Sequence, residues 1–199
     1  MCIFTAQWSW MKTTNFTPIL ITPCIDRAYL QKLPLYAKSA SWLMYRHKDD
    51  EFVDDFLSLT RPLSHKTLLL NLPFANPIEA VKLSTRFARF DGLHLKSHFL
   101  DFIAPLKSHF ADKKIIGYSA HSIEEVKSAL ALGATYCTLS PIYPSQNKGK
   151  PLGIESLRNL PKSLRSHIVA LGGINKSHIK ELESLGLFGF AGISYFLES

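Results

Sequence analysis

Short apolar runs in this chain end, one after another, on polar residues of a single kind. Trp42-Leu43-Met44-Tyr45 leaves through Arg46 and Lys48, Thr67 to Leu70 leaves through Asn71, and Gly92 to Leu95 carries His94 and leaves through Lys96. Ile115 to Tyr118 is followed by Ser119 and His121, and Tyr136 to Leu139 by Ser140, Ser145, Asn147 and Lys148. His167 to Leu171 ends in Gly172-Gly173, and the Phe190 run in Ser194. This set is cationic, rich in small hydrogen-bond donors and almost without carboxylates, which suits a phosphate or pyrophosphate ligand. Gly172-Gly173-Ile174-Asn175 lets bare backbone N–H groups approach an anion, and Gly192-Ile193-Ser194 offers a second such set. Other chemistry is excluded by the same residues. The His, Cys, Asp and Glu residues show no transition-metal spacing, and no acid is placed to orient a Ser–His pair. Each residue alone has a structural reading: a Gly-Gly turn, a surface cation, a histidine bonded within the fold. Only their coincidence on one edge makes a site.

That edge has to be built. Residues 117–148 hold a βαβ unit: Ser122 with Glu125 has the spacing of a capping box, and Ile123, Val126, Ala129 and Leu130 form an apolar stripe that Gly133 stops. The pattern repeats along the chain. Ile19-Leu20-Ile21 precedes a helical stretch to about Ser39 that Pro34 interrupts or ends. Asp49, Asp50 and Glu51 open a helix bearing Phe52, Val53, Phe56 and Leu57, and Pro77 suits the first turn of the next. A weaker helix is expected from Phe99 to His109 with Pro105 as an irregularity, a short one from Ile154 to Leu160, and one capped by Asn175 and stopped by Gly186. Eight β-runs alternating with helices predict an α/β fold, a compact (β/α)8 TIM barrel whose final helix is truncated. In that fold the polar exits share one mouth. Residues 1–17 read as an N-terminal extension and 18–199 as a single barrel domain. Trp8 and Trp10 could plug a barrel end, or Met11 is the natural start. The extension or a partner subunit, as in a homodimer, is expected to cover any exposed mouth.

The chain has 199 residues, 46% hydrophobic and 20% charged, with a net charge of +7. Its basic residues are scattered and form no arm or block, so phosphorylated metabolites are expected as ligands rather than nucleic acid. Cys2, Cys24 and Cys137 have no pairing spacing, which suits a reducing compartment. No signal peptide is read, and no window reaches the ~18 apolar residues of a membrane span. The expected location is the cytoplasm, without membrane attachment.

Several stretches together resemble the thiamine-phosphate synthase/TenI family of (β/α)8 barrels. They are Gly117-Tyr118-Ser119-Ala120-His121-Ser122, Ser140-Pro141-Ile142-Tyr143-Pro144 with Lys148, Ala170-Leu171-Gly172-Gly173-Ile174, and Gly192-Ile193-Ser194. Tyr45-Arg46-His47-Lys48 and Asp91 to Leu95 support them. In the synthases a thiazole phosphate attacks a pyrimidine-methyl pyrophosphate, and pyrophosphate leaves with Mg²⁺ bound. The resemblance implies that Arg46, Lys48 and Asn71 bind pyrophosphate, that Ser119 and Lys148 serve the reaction, and that Ser145, Asn147, Gly173 and Ser194 hold the thiazole phosphate. Departures accompany it. A Gln of the family is Met44 here, and the two magnesium-ligating acids fall on Leu72 and Phe99, which have no oxygen donor; Asp101 is the nearby substitute. The TenI branch, a thiazole tautomerase, also lacks those acids, but its key His falls on Pro141. A tautomerase here would move protons with His121 or His94. Three readings follow: a TenI-like tautomerase, preferred because the acids are missing; a synthase with altered Mg²⁺ ligation; and a non-catalytic binder of thiazole or thiamine phosphate. No cofactor is expected except Mg²⁺ for a synthase, and the ligands are small phosphorylated thiazoles and pyrimidines.

Overall fold

Leucine-, isoleucine- and tyrosine-rich runs of four to six residues form the strands, and the capped stretches between them return the chain so that every strand pair is parallel. The computed structural model describes residues 16–145 and 148–197. In it β1 (Thr17–Ile21), β2 (Trp42–Arg46), β3 (Thr67–Asn71), β4 (Gly92–Leu95), β5 (Ile115–Ala120), β6 (Tyr136–Leu139), β7 (Ile168–Leu171) and β8 (Gly189–Gly192) close into a barrel in sequence order. Closure is made by Ile19 of β1 against Ala191 of β8.

The crossovers follow the sequence signals with local differences. α1 (Arg27–Tyr36) is capped by Asp26, whose carboxylate accepts from Tyr29 N–H at 2.7 Å, and it carries Pro34 in its last turn rather than ending there. α2 (Val53–Leu59) begins after the Asp49–Glu51 turn and has Asp54 and Asp55 in its first turn. α3 (Pro77–Arg86) starts on proline behind the Asn76 cap. The stretch expected as one helix from Phe99 divides into a 3₁₀ segment, Ser97–Phe102, and α4 (Ile103–Phe110). Pro105 is the reason the division falls there: in the first turn of α4 no N–H is required of it. α5 (Ile123–Ala131) has its Ser122 cap, but Glu125 returns its bond to the N–H of His121, one residue earlier than the box predicts. The expected sixth helix is shorter, α6 (Glu155–Arg158), and a further turn, α7 (Lys162–Arg165), follows Pro161. A 3₁₀ turn capped by Asn175 leads into α8 (Ile179–Ser184), and α9 (Ser194–Leu197) follows β8.

Alternation along each strand divides the core in two. Outward residues such as Leu43, Tyr45, Leu68, Leu70, Leu93 and Ile116 pack under the helices. Inward residues Ile19, Ile21, Met44, Leu69, Tyr136, Val169 and Ala191 fill the barrel, with Trp42 and Phe188 against them. The rings of Trp42, Tyr136 and Phe188 lie 5.2 to 5.7 Å apart, centre to centre, and close the amino end. Trp8 and Trp10 lie outside the described residues. Cys24 is exposed and Cys137 buried, and both are free thiols. No helix among the described residues is long and apolar enough to cross a membrane.

Candidate functional site

At the carboxyl end the inward positions turn polar. Arg46 follows Met44 on β2, Asn71 follows Leu69 on β3, Ser119 follows Gly117 on β5, and Thr138 follows Tyr136 on β6. On β4 His94 points inward, Leu95 is buried under the helices, and Lys96 turns inward again. These residues, with Ser97, His98, Ala120, His121, Ser140 and Lys148, wall a cavity of about 290 Å³ floored by Ile21, Met44 and Leu171. Its cations are Arg46, Lys96 and Lys148, and no carboxylate lies on the described wall.

His94 joins the mouth to the apolar interior. Its Nδ1 is 2.9 Å from Tyr136 Oη, and its Nε2 is 2.9 Å from Ser119 Oγ. Tyr136 is wholly buried, so its O–H has to donate, and His94 Nδ1 is its partner. The network therefore assigns the remaining proton of a neutral imidazole to Nε2, which donates to Ser119 Oγ and leaves the serine proton free to point into the cavity. Burial pushes the His94 pKa down to about 3, consistent with a neutral ring, and holds the Tyr136 phenol well above its ordinary value. Gly117 makes this contact possible: a Cβ there would lie 2.4 Å from Tyr136 Cζ and 2.5 Å from His94 Nδ1.

His121 is held differently. Glu125 accepts from its backbone N–H, and its Nδ1 lies 3.0 Å from the carbonyl oxygen of Ser140, an acceptor only. Nδ1 therefore carries the proton, and Nε2 keeps a free lone pair at the cavity rim. Two buried polar atoms on the wall, Asn71 Oδ1 and Ser140 Oγ, have no partner among the described residues. Orphaned buried atoms are costly, and a ligand offering donors and acceptors would satisfy them. Desolvation lowers the Arg46 pKa, although a guanidinium stays charged at any physiological pH.

Arg46, Asn71, His94, Ser119, His121 and Lys148, all read from the sequence as site residues, meet in this cavity. Others do not. Lys48 follows the end of β2, where the chain has left the barrel wall, and its ammonium sits 3.7 Å from Asp49. Ser145, Gly173 and Ser194 lie outside the cavity wall. A Cβ on Gly173 would lie 2.3 Å from the Pro144 carbonyl oxygen, because the β6 loop packs against it; Tyr143 of that loop stacks on His178 at 3.7 Å. Asn147 lies outside the described residues. Lys96 and Ser140, read from the sequence as polar strand exits, join the wall, and so do Ser97, His98 and Thr138, which the sequence reading missed; Thr138 follows from inward alternation, whereas Ser97 and His98 depend on the 3₁₀ turn after β4.

The cavity does not fit Mg²⁺, which takes carboxylate anchors. Leu72 is buried under the helices, and the ring of Phe99 stacks on Phe102 at 4.7 Å. Asp101 is exposed and off the cavity wall, so it does not replace them. The group His47, Asp49 and Glu51 has ligand atoms within 4.8 Å of one another outside the cavity. There Ile25 N–H donates to His47 Nδ1 at 3.3 Å, which places the ring proton on Nε2, toward Asp49, and removes the free lone pair a metal needs.

Residues 79–196 match the family described as thiamine monophosphate synthase. The thiamine-phosphate synthase of Dictyoglomus turgidum is 39% identical over 106 residues, which are 51% of this chain and 47% of that protein. The thiamine-phosphate synthase of Clostridium acetobutylicum is 34% identical over 111 residues, 55% of this chain and 52% of that one. The chain thus spans about half the length of these relatives. A thiamine phosphate pyrophosphorylase from Pyrococcus furiosus superposes with a TM-score of 0.65 over 90% of this chain and 86% of that one, at 22% identity, a likeness of fold. With the family match running from α3 into α9 and taking in β4 to β8, the chain belongs to the thiamine monophosphate synthase family.

Proposed function

We propose that this chain is an enzyme of thiamine biosynthesis that joins a thiazole phosphate to a pyrimidine-methyl pyrophosphate, releasing pyrophosphate. The observation that carries this reading is the convergence of Arg46, Lys96 and Lys148 on one cavity whose described wall has no carboxylate. A tautomerase working on a monophosphate has little use for three cations. In the synthase reaction the thiazole nitrogen forms a C–N bond with the pyrimidine methylene as the C–O bond to pyrophosphate breaks, and the electron pair passes to the departing oxygen. Charge growing on that oxygen is what the fixed cations and the Ser119 hydroxyl stabilise. His94 keeps the Ser119 proton directed at the ligand. Asn71 offers its unpaired carbonyl oxygen to a ligand N–H. Ser145, Asn147, Gly173 and Ser194 are then the thiazole-phosphate contacts that the family resemblance implies.

A tautomerase remains the second reading, and the free Nε2 of His121 favours it. His94 is a poor base for it, because its Nε2 donates and its pKa lies near 3. A coupled assay of pyrophosphate release from the two substrates decides between them. Turnover reduced at least about 100-fold by Lys148→Ala supports the synthase. Absence of pyrophosphate release, with proton exchange on bound thiazole that His121→Ala abolishes, would instead establish the tautomerase. Thiazole phosphate bound with neither activity would leave a binding protein.

A further inference from the structure

Resting on the pyrophosphate reading above, we propose that Lys96 takes the place of a divalent cation, so that the cavity binds the pyrophosphate group as a metal-free anion. Lys96 follows His94 by two residues and shares its inward face, which brings a fixed positive charge to the same wall as Arg46 and Lys148. Among the described residues none of these three cations pairs with an acid, whereas Lys48, Arg86 and Arg158 each do. Three like charges held unpaired in one mouth repel one another until an anion arrives. The same charges repel a free divalent cation, and Leu72 and Phe99 give it no oxygen to hold. A lysine ammonium is a compact point charge suited to a phosphate oxygen, and it neutralises charge without needing ligands of its own.

The test is calorimetric titration of the full chain with sodium pyrophosphate, in EDTA and again in excess MgCl₂. Binding is expected in EDTA, with no tightening by Mg²⁺. Lys96→Gln should weaken it by about 10- to 100-fold in EDTA, and Lys96→Arg should restore most of the loss. A thermal melt checks that both variants fold; if Lys96→Gln does not, the EDTA and MgCl₂ comparison on the wild-type chain decides alone. Pyrophosphate binding that requires Mg²⁺, or a folded Lys96→Gln chain that binds as tightly as wild type in EDTA, overturns the proposal. Metal-free binding without pyrophosphate release from the two substrates would remove the synthase reading and leave this one standing. Mg²⁺-dependent turnover with unaltered Lys96→Gln would do the reverse.

Discussion

The two ends of the barrel interior are lined by the same strands and the same inward face, yet they differ in kind. The amino end is filled by Trp42, Tyr136 and Phe188 with Ile19, Leu69 and Val169, and among these residues no buried polar side-chain atom lacks a partner. The carboxyl end holds Arg46, Asn71, Lys96, Ser119 and Lys148 around an open cavity, with orphaned atoms on Asn71 and Ser140. One end has been packed for stability and the other left unsatisfied for a ligand. His94 stands between them, bonded downward to Tyr136 and outward to Ser119.

The largest effect that sharpens this comparison is the pH dependence of stability. The His94 pKa falls from the ordinary 6.5 to about 3 on folding, so below 6.5 the unfolded chain takes up a proton that the folded chain refuses. Stability contributed by the neutral ring is fully present above pH 6.5 and is lost as pH falls toward 3. The decline should approach about 1.4 kcal/mol per pH unit below pH 6, and amount to about 2 kcal/mol between pH 6.5 and 4.5. Urea unfolding across that range checks it, with His94→Asn expected to show a flatter profile; an equally steep profile would mean that another group titrates.

Gly117→Ala attacks the joint itself. Its Cβ would collide with Tyr136 and the His94 ring, and a cost of about 2–3 kcal/mol is expected from the shift in unfolding midpoint. Tyr136→Phe keeps the packing and removes the donor to Nδ1. It should cost about 1–2 kcal/mol and, by freeing the ring to change tautomer, lower turnover more than substrate binding. Steady-state kinetics separate kcat from KM in that variant. The smallest effect on stability should come from Asn71→Leu. Because Oδ1 is already unpaired, replacing it with an apolar group of similar size should leave stability within about 0.5 kcal/mol or raise it, while substrate binding falls. A strongly destabilised Asn71→Leu would place Asn71 with the packed end instead.

Much of the fold was legible because local rules state it. Strands β4 and β6 fall on the residues read from apolar patterning, and the caps Ser122 and Asn175 were visible as short polar residues before helical stretches. Boundaries around prolines were less so: Pro34 lies inside α1 and Pro105 in the first turn of α4, where its missing N–H costs nothing. Within the site, residues on strands were placed well by period-two alternation, which carries Arg46, Asn71, His94 and Ser119 to the cavity. Residues beyond the strands were placed less evenly: His121 and Lys148 reach the cavity, and others do not. Lys48 turned to Asp49, and Ser145, Gly173 and Ser194 lie off the cavity wall.

The sequence by itself therefore determined the barrel, the strand ends that meet in its mouth and the positive character of that mouth, because periodicity, capping and charge are properties of neighbouring residues. The tertiary structure alone decided which histidine is a donor and which keeps a free lone pair. It also decided that Asp101 stays outside the cavity. Those outcomes depend on burial and on partners far apart in the chain: Tyr136 stands 42 residues beyond His94, and Ser119 stands 25 beyond it. Proton positions and unpaired charges are set by such distant contacts.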